Sequence, residues 1–304
     1  MPVIINQELP AIAALRKENI NLLPCDGYAT GRILRIGILN LMPLKEMTEI
    51  DLLRLISASP CGIEVELIET STYRGRNTPA EHLDKYYKKW DEVTESHYDG
   101  FIITGAPVEK KDFEDVFYWP ELQKIMDWTR THATSTLYIC WAALAGLYHH
   151  YGIAKRMLPR KISGVFTHRK LTQENPLLRG FDDEFLVPHS RYSEPDRCAV
   201  ENHPELTILT DSPDAGIHIV TAHNGSEIYV TGHSEYSPLT LDYEYRRDCS
   251  VGIHPDIPAN YYRNDDPENG EVVVRWRAHA SMLFSNWINY FVSPDTPYRP
   301  IPRQ

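Results

Sequence analysis

Nothing in this chain approaches an apolar run of about 18 residues, the length needed to cross a bilayer. The opening stretch, Met1 to Pro10, has neither a basic n-region nor a continuous apolar segment. A cytoplasmic protein with no membrane partner is the expectation. Cysteine is sparse: Cys25, Cys61, Cys140, Cys198 and Cys249 are an odd five, widely scattered, with no C-x-x-C pair. That pattern indicates neither a disulfide framework nor a structural zinc site, so free reduced thiols are expected. A basic stripe is also missing, and the net charge of -11 argues against nucleic acid, whose affinity is carried by clustered Lys and Arg. The phosphate-cradling patterns G-x-x-x-x-G-K-[ST] and G-x-G-x-x-G do not occur, which speaks against a nucleotide-dependent kinase or dehydrogenase.

What is present reads as an α/β protein. An apolar fraction of 42% and a charged fraction of 24% are ordinary for a globular chain, and 304 residues can bury a full core. A short helix is predicted over Ala11 to Glu18, and a buried strand over Arg32 to Leu41, ended by Met42-Pro43. Apolar residues at helical spacing follow over Thr48 to Ile56, and then an alternating strand over Ile63 to Glu69. This is a βαβ unit. A further strand, Tyr98 to Ile103, runs into a Thr104-Gly105-Ala106-Pro107 loop, and a helix over Trp119 to Thr131 leads to another strand, Thr136 to Ile139. Such alternation implies a mostly parallel sheet with helices on both faces and ligands gathered beyond the carboxyl ends of the strands. Thr104-Gly105-Ala106 and Cys140 are therefore expected neighbours. Past residue 150 the pattern is less regular. Ile217 to Ala222 and Glu227 to Thr231 should form a hairpin through Asn224-Gly225, Leu239 to Asp248 and Trp276 to Tyr290 read as helices, and Pro258 to Pro267 reads as loop. A single domain over 1–304 is expected, with an N-terminal extension of about 1–30 and an irregular tail from about 294.

The most informative stretch is Tyr138-Ile139-Cys140-Trp141-Ala142-Ala143-Leu144. An apolar β-prone run meets one cysteine and passes into an Ala/Leu-rich helix with no turn residue between, the outline of a nucleophile elbow. The helix N-terminus supplies unpaired N–H groups and partial positive charge, and cysteines so placed fall from about 8.5 into the range of roughly 3.5 to 7.5. Taken alone, Cys140 reads equally well as a small buried hydrophobe at a strand end.

In Thr231-Gly232-His233-Ser234-Glu235-Tyr236, side chains two apart share a direction on extended chain, so Glu235 can orient the His233 imidazole. Cysteine, histidine and an orienting carboxylate are the set that thiol-based acyl transfer uses. Among 13 histidines an H-x-E pair also arises by chance. A metal held by His233, Glu235 and His189 is the alternative, but no H-E-x-x-H or comparable spacing supports it, and no metal is expected.

Six ordered blocks together carry a resemblance over nearly the whole chain: Ile103 to Glu109, Tyr138 to Ala143, Lys161 to Val165, Pro188 to Tyr192, Thr231 to Tyr236, and Glu244 to Asp248. They resemble the homoserine O-acyltransferases of the MetA family. The resemblance implies a flavodoxin-like α/β fold related to class I glutamine amidotransferases. It also implies transfer of acetyl from acetyl-CoA, a co-substrate rather than a bound cofactor, through a cysteine thioester to the γ-hydroxyl of L-homoserine in methionine synthesis. On this footing Cys140 is the nucleophile, His233 the proton acceptor and Glu235 the third triad member. Lys161, Ser190 and Arg247 bind substrate, and Glu109 selects acetyl where succinyl users carry Gly. An oxyanion hole would come from the Trp141 backbone N–H with the Gly105-Ala106 loop. A homodimer is implied by the resemblance alone. The amidotransferase relatives usually read G-x-C-x-G, whereas Tyr138 and Ala142 flank Cys140 here, so a glutamine-hydrolysing role is disfavoured.

Overall fold

The computed structural model describes residues 3–20, 22–23, 33–59, 61–75 and 77–293. In chain order its strands are β1 (Val3–Ile4), β2 (Leu22–Leu23), β3 (Ile33–Leu39), β4 (Gly62–Glu69), β5 (Tyr87–Lys89), β6 (Tyr98–Ile103), β7 (Ala133–Ile139), β8 (Lys155–Lys170), β9 (Glu184–Pro195), β10 (Thr207–Ser212), β11 (Gly216–Ala222) and β12 (Glu227–Val230). The helices are α1 (Ala11–Lys17), α2 (Lys45–Ile56), α3 (Ala80–Tyr86), α4 (Trp119–His132), α5 (Trp141–Tyr151), α6 (Arg197–Glu201), α7 (Thr240–Ser250) and α8 (Arg277–Trp287). All described strands join one sheet of order β2-β1-β4-β3-β6-β7-β12-β11-β10-β8-β9, with β5 beside β4.

The sheet has two halves. From β2 to β12 every pairing is parallel, and from β12 through β11, β10 and β8 to β9 every pairing is antiparallel. In the parallel half, side chains alternate between two cores, as the period of two requires. Ile36, Ile38, Ile102, Leu137 and Ile139 pack with α1, α2 and α8, while Leu39, Phe101, Ile103 and Tyr138 pack with α4 and α5. Burial on both faces explains why these strands are apolar runs of Ile, Leu and Val.

The α/β alternation up to residue 151 follows the sequence expectation, with element ends moved by a few residues. The Asn-Gly hairpin also forms, with φ of 57° at Asn224 and 87° at Gly225, and β11 pairs antiparallel with β12. The N-terminal extension is more integrated than an appendage: β1 adds to β4, and α1 lies in the core. The irregular reading past residue 150 needs the largest correction. Residues 155–195 are mainly one long antiparallel pair, β8 and β9, which the sequence hides because β8 is polar and half-exposed, Lys155-Arg156-Met157-Leu158-Pro159-Arg160-Lys161. The tail from 294 lies outside the described residues.

Candidate active site

Two neighbouring parallel strands set the site. β7 and β12 run in register, Ile139 opposite Val230, so the chain leaves both at the same edge. The Cys140 N–H donates to the Val230 carbonyl at 2.7 Å. Cys140 then turns sharply, with φ 53° and ψ -114°, and α5 begins at Trp141. A positive φ is uncommon outside glycine and is retained where function needs the strained geometry. β6 delivers the third wall. A Cβ on Gly105 would lie 3.2 Å from the Cys140 Cβ and 3.6 Å from the Trp141 nitrogen, so the loop approaches the elbow closely, as only glycine allows.

His233 leaves β12 three residues after Val230, and its N–H is anchored on the Pro188 carbonyl of β9 at 2.8 Å. Its Nδ1 lies 2.6 Å from Glu235 Oε1, and its ring stacks on Tyr236 at 4.1 Å between centroids. All three groups of the expected triad are nearly buried: Cys140 is 9%, His233 4% and Glu235 8% exposed. Burial pushes the His233 imidazole down, but Cys140 and the Glu235 carboxylate beside it outweigh that, holding the ring well above its ordinary value. The arrangement can deliver a nucleophilic sulfur, a proton carrier fixed in tautomer by Glu235, and helix N-terminal amides facing a developing oxyanion.

These groups open into a cavity of about 460 Å³, which Gly105, Ala106, Glu109, Lys161, Ser190 and Arg247 also line. The residues named from sequence therefore converge, although they come from both halves of the sheet. Lys161 lies on β8 in the irregular stretch between Met157 and Ile162, Ser190 on β9, and Arg247 on α7. Edge strand β9 nevertheless reaches the end of β12, where its Pro188 carbonyl accepts from the His233 N–H.

Glu244, not singled out from sequence, is the hub of this side. It accepts hydrogen bonds from Ser190 Oγ and, at 2.9 Å, from Tyr236 OH, and it lies 3.4 Å from Lys161 Nζ. Asp248 pairs with Lys161 at 3.5 Å and takes Arg247 Nε and Nη2 at 3.0 and 2.7 Å. The Arg247 fork, expected to be open for a substrate carboxylate, is thus partly engaged by its sequence neighbour. The signal for Glu244 was the spacing of Glu244 and Asp248, four apart on one helix face beside Arg247. Glu109 is likewise fixed: its Oε2 accepts from the Tyr192 N–H at 2.8 Å and Ser193 Oγ at 3.2 Å.

His189 does not join the metal set weighed above. It is fully buried, its Nε2 is 2.9 Å from His168 Nε2, and burial holds it well below its ordinary value. Among the described residues one group of three potential metal ligands occurs, Asp127, His149 and His150 on α4 and α5, and none of them lines the cavity. No described helix is long and apolar enough to cross a membrane.

The fold is that of the glutamine amidotransferases. A glutamine amidotransferase from Thermotoga maritima superposes with a TM-score of 0.53 at 12% identity, covering 84% of this chain and 96% of that one. One from Methylobacillus flagellatus gives 0.50 at 14% identity, covering 84% and 93%. Sequence relatives are much nearer. Homoserine O-acetyltransferases of Bacteroides fragilis and Bacteroides thetaiotaomicron are 55% and 53% identical over 301 and 300 residues, 98% of each chain. That of Brevibacillus brevis is 49% identical over 300 residues, again 98% of each. The family model described as homoserine O-succinyltransferase matches residues 2–298. With relatives and family model both spanning it almost end to end, the chain belongs to the homoserine O-acyltransferases of the MetA family.

Proposed function

We propose that this chain moves an acetyl group from acetyl-CoA to Cys140 and then to the γ-hydroxyl of L-homoserine, in the cytoplasm, with no resident cofactor. The single observation that carries this reading is the cavity that gathers Cys140, His233 and Glu235 with the Lys161–Ser190–Glu244–Arg247 cluster and Glu109. In the first half-reaction the Cys140 sulfur attacks the thioester carbonyl. The oxyanion is received by the Trp141 amide and the Gly105-Ala106 loop, and CoA leaves as a thiol with the proton from His233. In the second, His233 takes the γ-hydroxyl proton as that oxygen attacks the acyl carbonyl, and Cys140 departs as thiolate, restoring the ion pair. Homoserine carries both charges, and the cluster offers both: Arg247 and Lys161 for the carboxylate, Glu244 for the ammonium.

Acetyl rather than succinyl transfer rests on Glu109. Succinyl ends in a carboxylate, and Glu109 is fixed at the cavity wall by Tyr192 and Ser193. Two like charges about 4 Å apart repel by roughly 1 kcal/mol in water and about 4 kcal/mol at a shielded surface, which is about five- to a thousandfold in rate constant ratio. The family model bears the succinyl name, so the distinction has to be measured. Purified protein incubated with acetyl-CoA, succinyl-CoA or glutamine should yield an acyl adduct on Cys140 from acetyl-CoA. Its kcat/KM should favour acetyl-CoA by at least ~10-fold, and Glu109→Gly should narrow that ratio. Equal use of both donors by the wild type would remove the acetyl assignment, and an adduct from glutamine alone would remove acyl transfer.

A further inference from the structure

The same cavity holds a further carboxylate that the mechanism above does not use. Asp51 of α2 lines it yet is only 4% exposed. Ser237 Oγ, two residues beyond Glu235, donates to Asp51 Oδ1, and Arg54 Nη1 reaches the same oxygen at 2.9 Å. Arg54 in turn grips Glu18, just past the end of α1, through Nε and Nη2 at 2.7 and 2.8 Å. A line of hydrogen bonds therefore runs from the N-terminal helix through Arg54 and Asp51 to the turn that bears the triad acid.

We propose that Asp51 is a positioning residue for acyl transfer, tying the 233–237 turn to α2 so that Glu235 and His233 keep their register against Cys140. Two features separate it from an ordinary surface ion pair. One is location, since the partner of Asp51 is the catalytic turn itself. The other is that the site tolerates an unfavourable charge: burial, reinforced by Glu235, pushes Asp51 up to about 6 in spite of Ser237 and Arg54. The charged groups that act on Asp51 are Arg54 and Glu235, with Glu18 behind Arg54 and Arg277 of α8 beside Glu18. A carboxylate kept ionised in a place that disfavours ionisation is expected where function outweighs stability.

The sign of the linkage supplies the test. A folded-state value raised above the ordinary 3.8 means that Asp51 weighs against the fold increasingly as pH rises from 3.8 to about 6, and in full above that. Asp51→Asn keeps the shape and removes that burden, so its Tm at pH 8 should rise by at least ~2 °C. Its kcat should fall by ~10-fold or more with KM for homoserine within about twofold, because alignment rather than binding is disturbed. The rate of Cys140 alkylation by iodoacetamide against pH, which needs no acyl donor, should carry an inflection near 6 in the wild type that Asp51→Asn lacks. Ser237→Ala keeps the charge and cuts the tie, so kcat should drop while the inflection persists. A fall of Tm together with kcat in Asp51→Asn would make Asp51 merely structural. Wild-type kcat in either variant, or an inflection near 6 that survives in Asp51→Asn, would overturn the proposal. The inference rests on the acyl-transfer reading only for its kcat arm. If wild-type Cys140 takes no acyl group, that reading fails, and the alkylation and melting arms still decide the role of Asp51.

Discussion

The parallel and antiparallel halves of the sheet contribute to the site in different ways. In the proposed reaction the parallel half supplies the reacting atoms through local means: a strand ends, a helix starts, and Cys140 stands at the junction. In the same proposed reaction the antiparallel half supplies recognition through distant pairing. Lys161 and Ser190 are 29 positions apart but sit on adjacent strands, and they meet Glu244 where β9 lies against the 233–237 turn, its Pro188 carbonyl accepting from the His233 N–H. On that proposal, chemistry depends on a local strained turn and substrate choice on a long-range architecture. One can therefore be altered without the other.

The sharpest way to test that division is at the elbow. Cys140→Ser should lower kcat by at least ~10⁴-fold while leaving homoserine binding measurable by calorimetry, since on the proposed reading the triad acts as a unit and the charged ends of homoserine are held by Arg247, Lys161 and Glu244 rather than by Cys140. A variant that lost binding as well would merge the two halves into one. The converse change is Glu244→Gln, which weakens the hub joining Lys161, Ser190 and Tyr236. Homoserine kcat/KM should fall by about 10²-fold, and the rate of Cys140 acylation, followed by intact mass in single turnover, should stay within about threefold of wild type. Equal losses in both half-reactions would deny the separation.

A smaller effect tests the seam where the halves join. Glu227 begins β12, 3% exposed, and receives Arg130 Nε at 2.6 Å and Tyr229 OH at 2.8 Å, with Tyr151 OH as a third donor. Burial pushes this carboxyl up, but the three donors prevail and hold it below its ordinary 4.5. Its contribution is therefore present above that value and fades as pH falls through the lowered one. Glu227→Gln should cost about 1–3 kcal/mol at pH 7 by denaturant unfolding, with the gap to wild type closing as the solution is acidified below 4.5. A gap that widened on acidification would reverse the assignment of sign.

What the sequence revealed follows the same division. Runs such as Ile36-Gly37-Ile38-Leu39 and Phe101-Ile102-Ile103 are apolar because both faces are covered, so they stand out without any knowledge of partners. Cys140 and the His233–Glu235 pair were readable because their geometry is set by nearest neighbours. β8 was not readable: Lys155 to Lys161 is exposed, basic and interrupted by Pro159, and its strand character comes from β9. Asp51 and Glu244 were hidden for a related reason. On helices α2 and α7 they look like solvent-facing acids; the Glu244–Asp248 spacing beside Arg247 was a faint signal for one, and the contacts with Ser237 and Ser190 come from the folded chain.

The backbone of Cys140 also bears on when this protein becomes reactive. A non-glycine residue at φ 53° is unfavourable by roughly 1–3 kcal/mol and is held only while β7 and α5 are both packed. Until then residue 140 is one thiol among several, no better placed than the exposed Cys198 or Cys249. A nascent or partly unfolded chain would thus meet thioesters and oxidants without its sulfur held at the elbow, and that placement arrives only with the packing of β7 and α5. Selective alkylation of Cys140 over the other two then serves as a gauge of the native population, reading the completeness of the fold through the chemistry it creates.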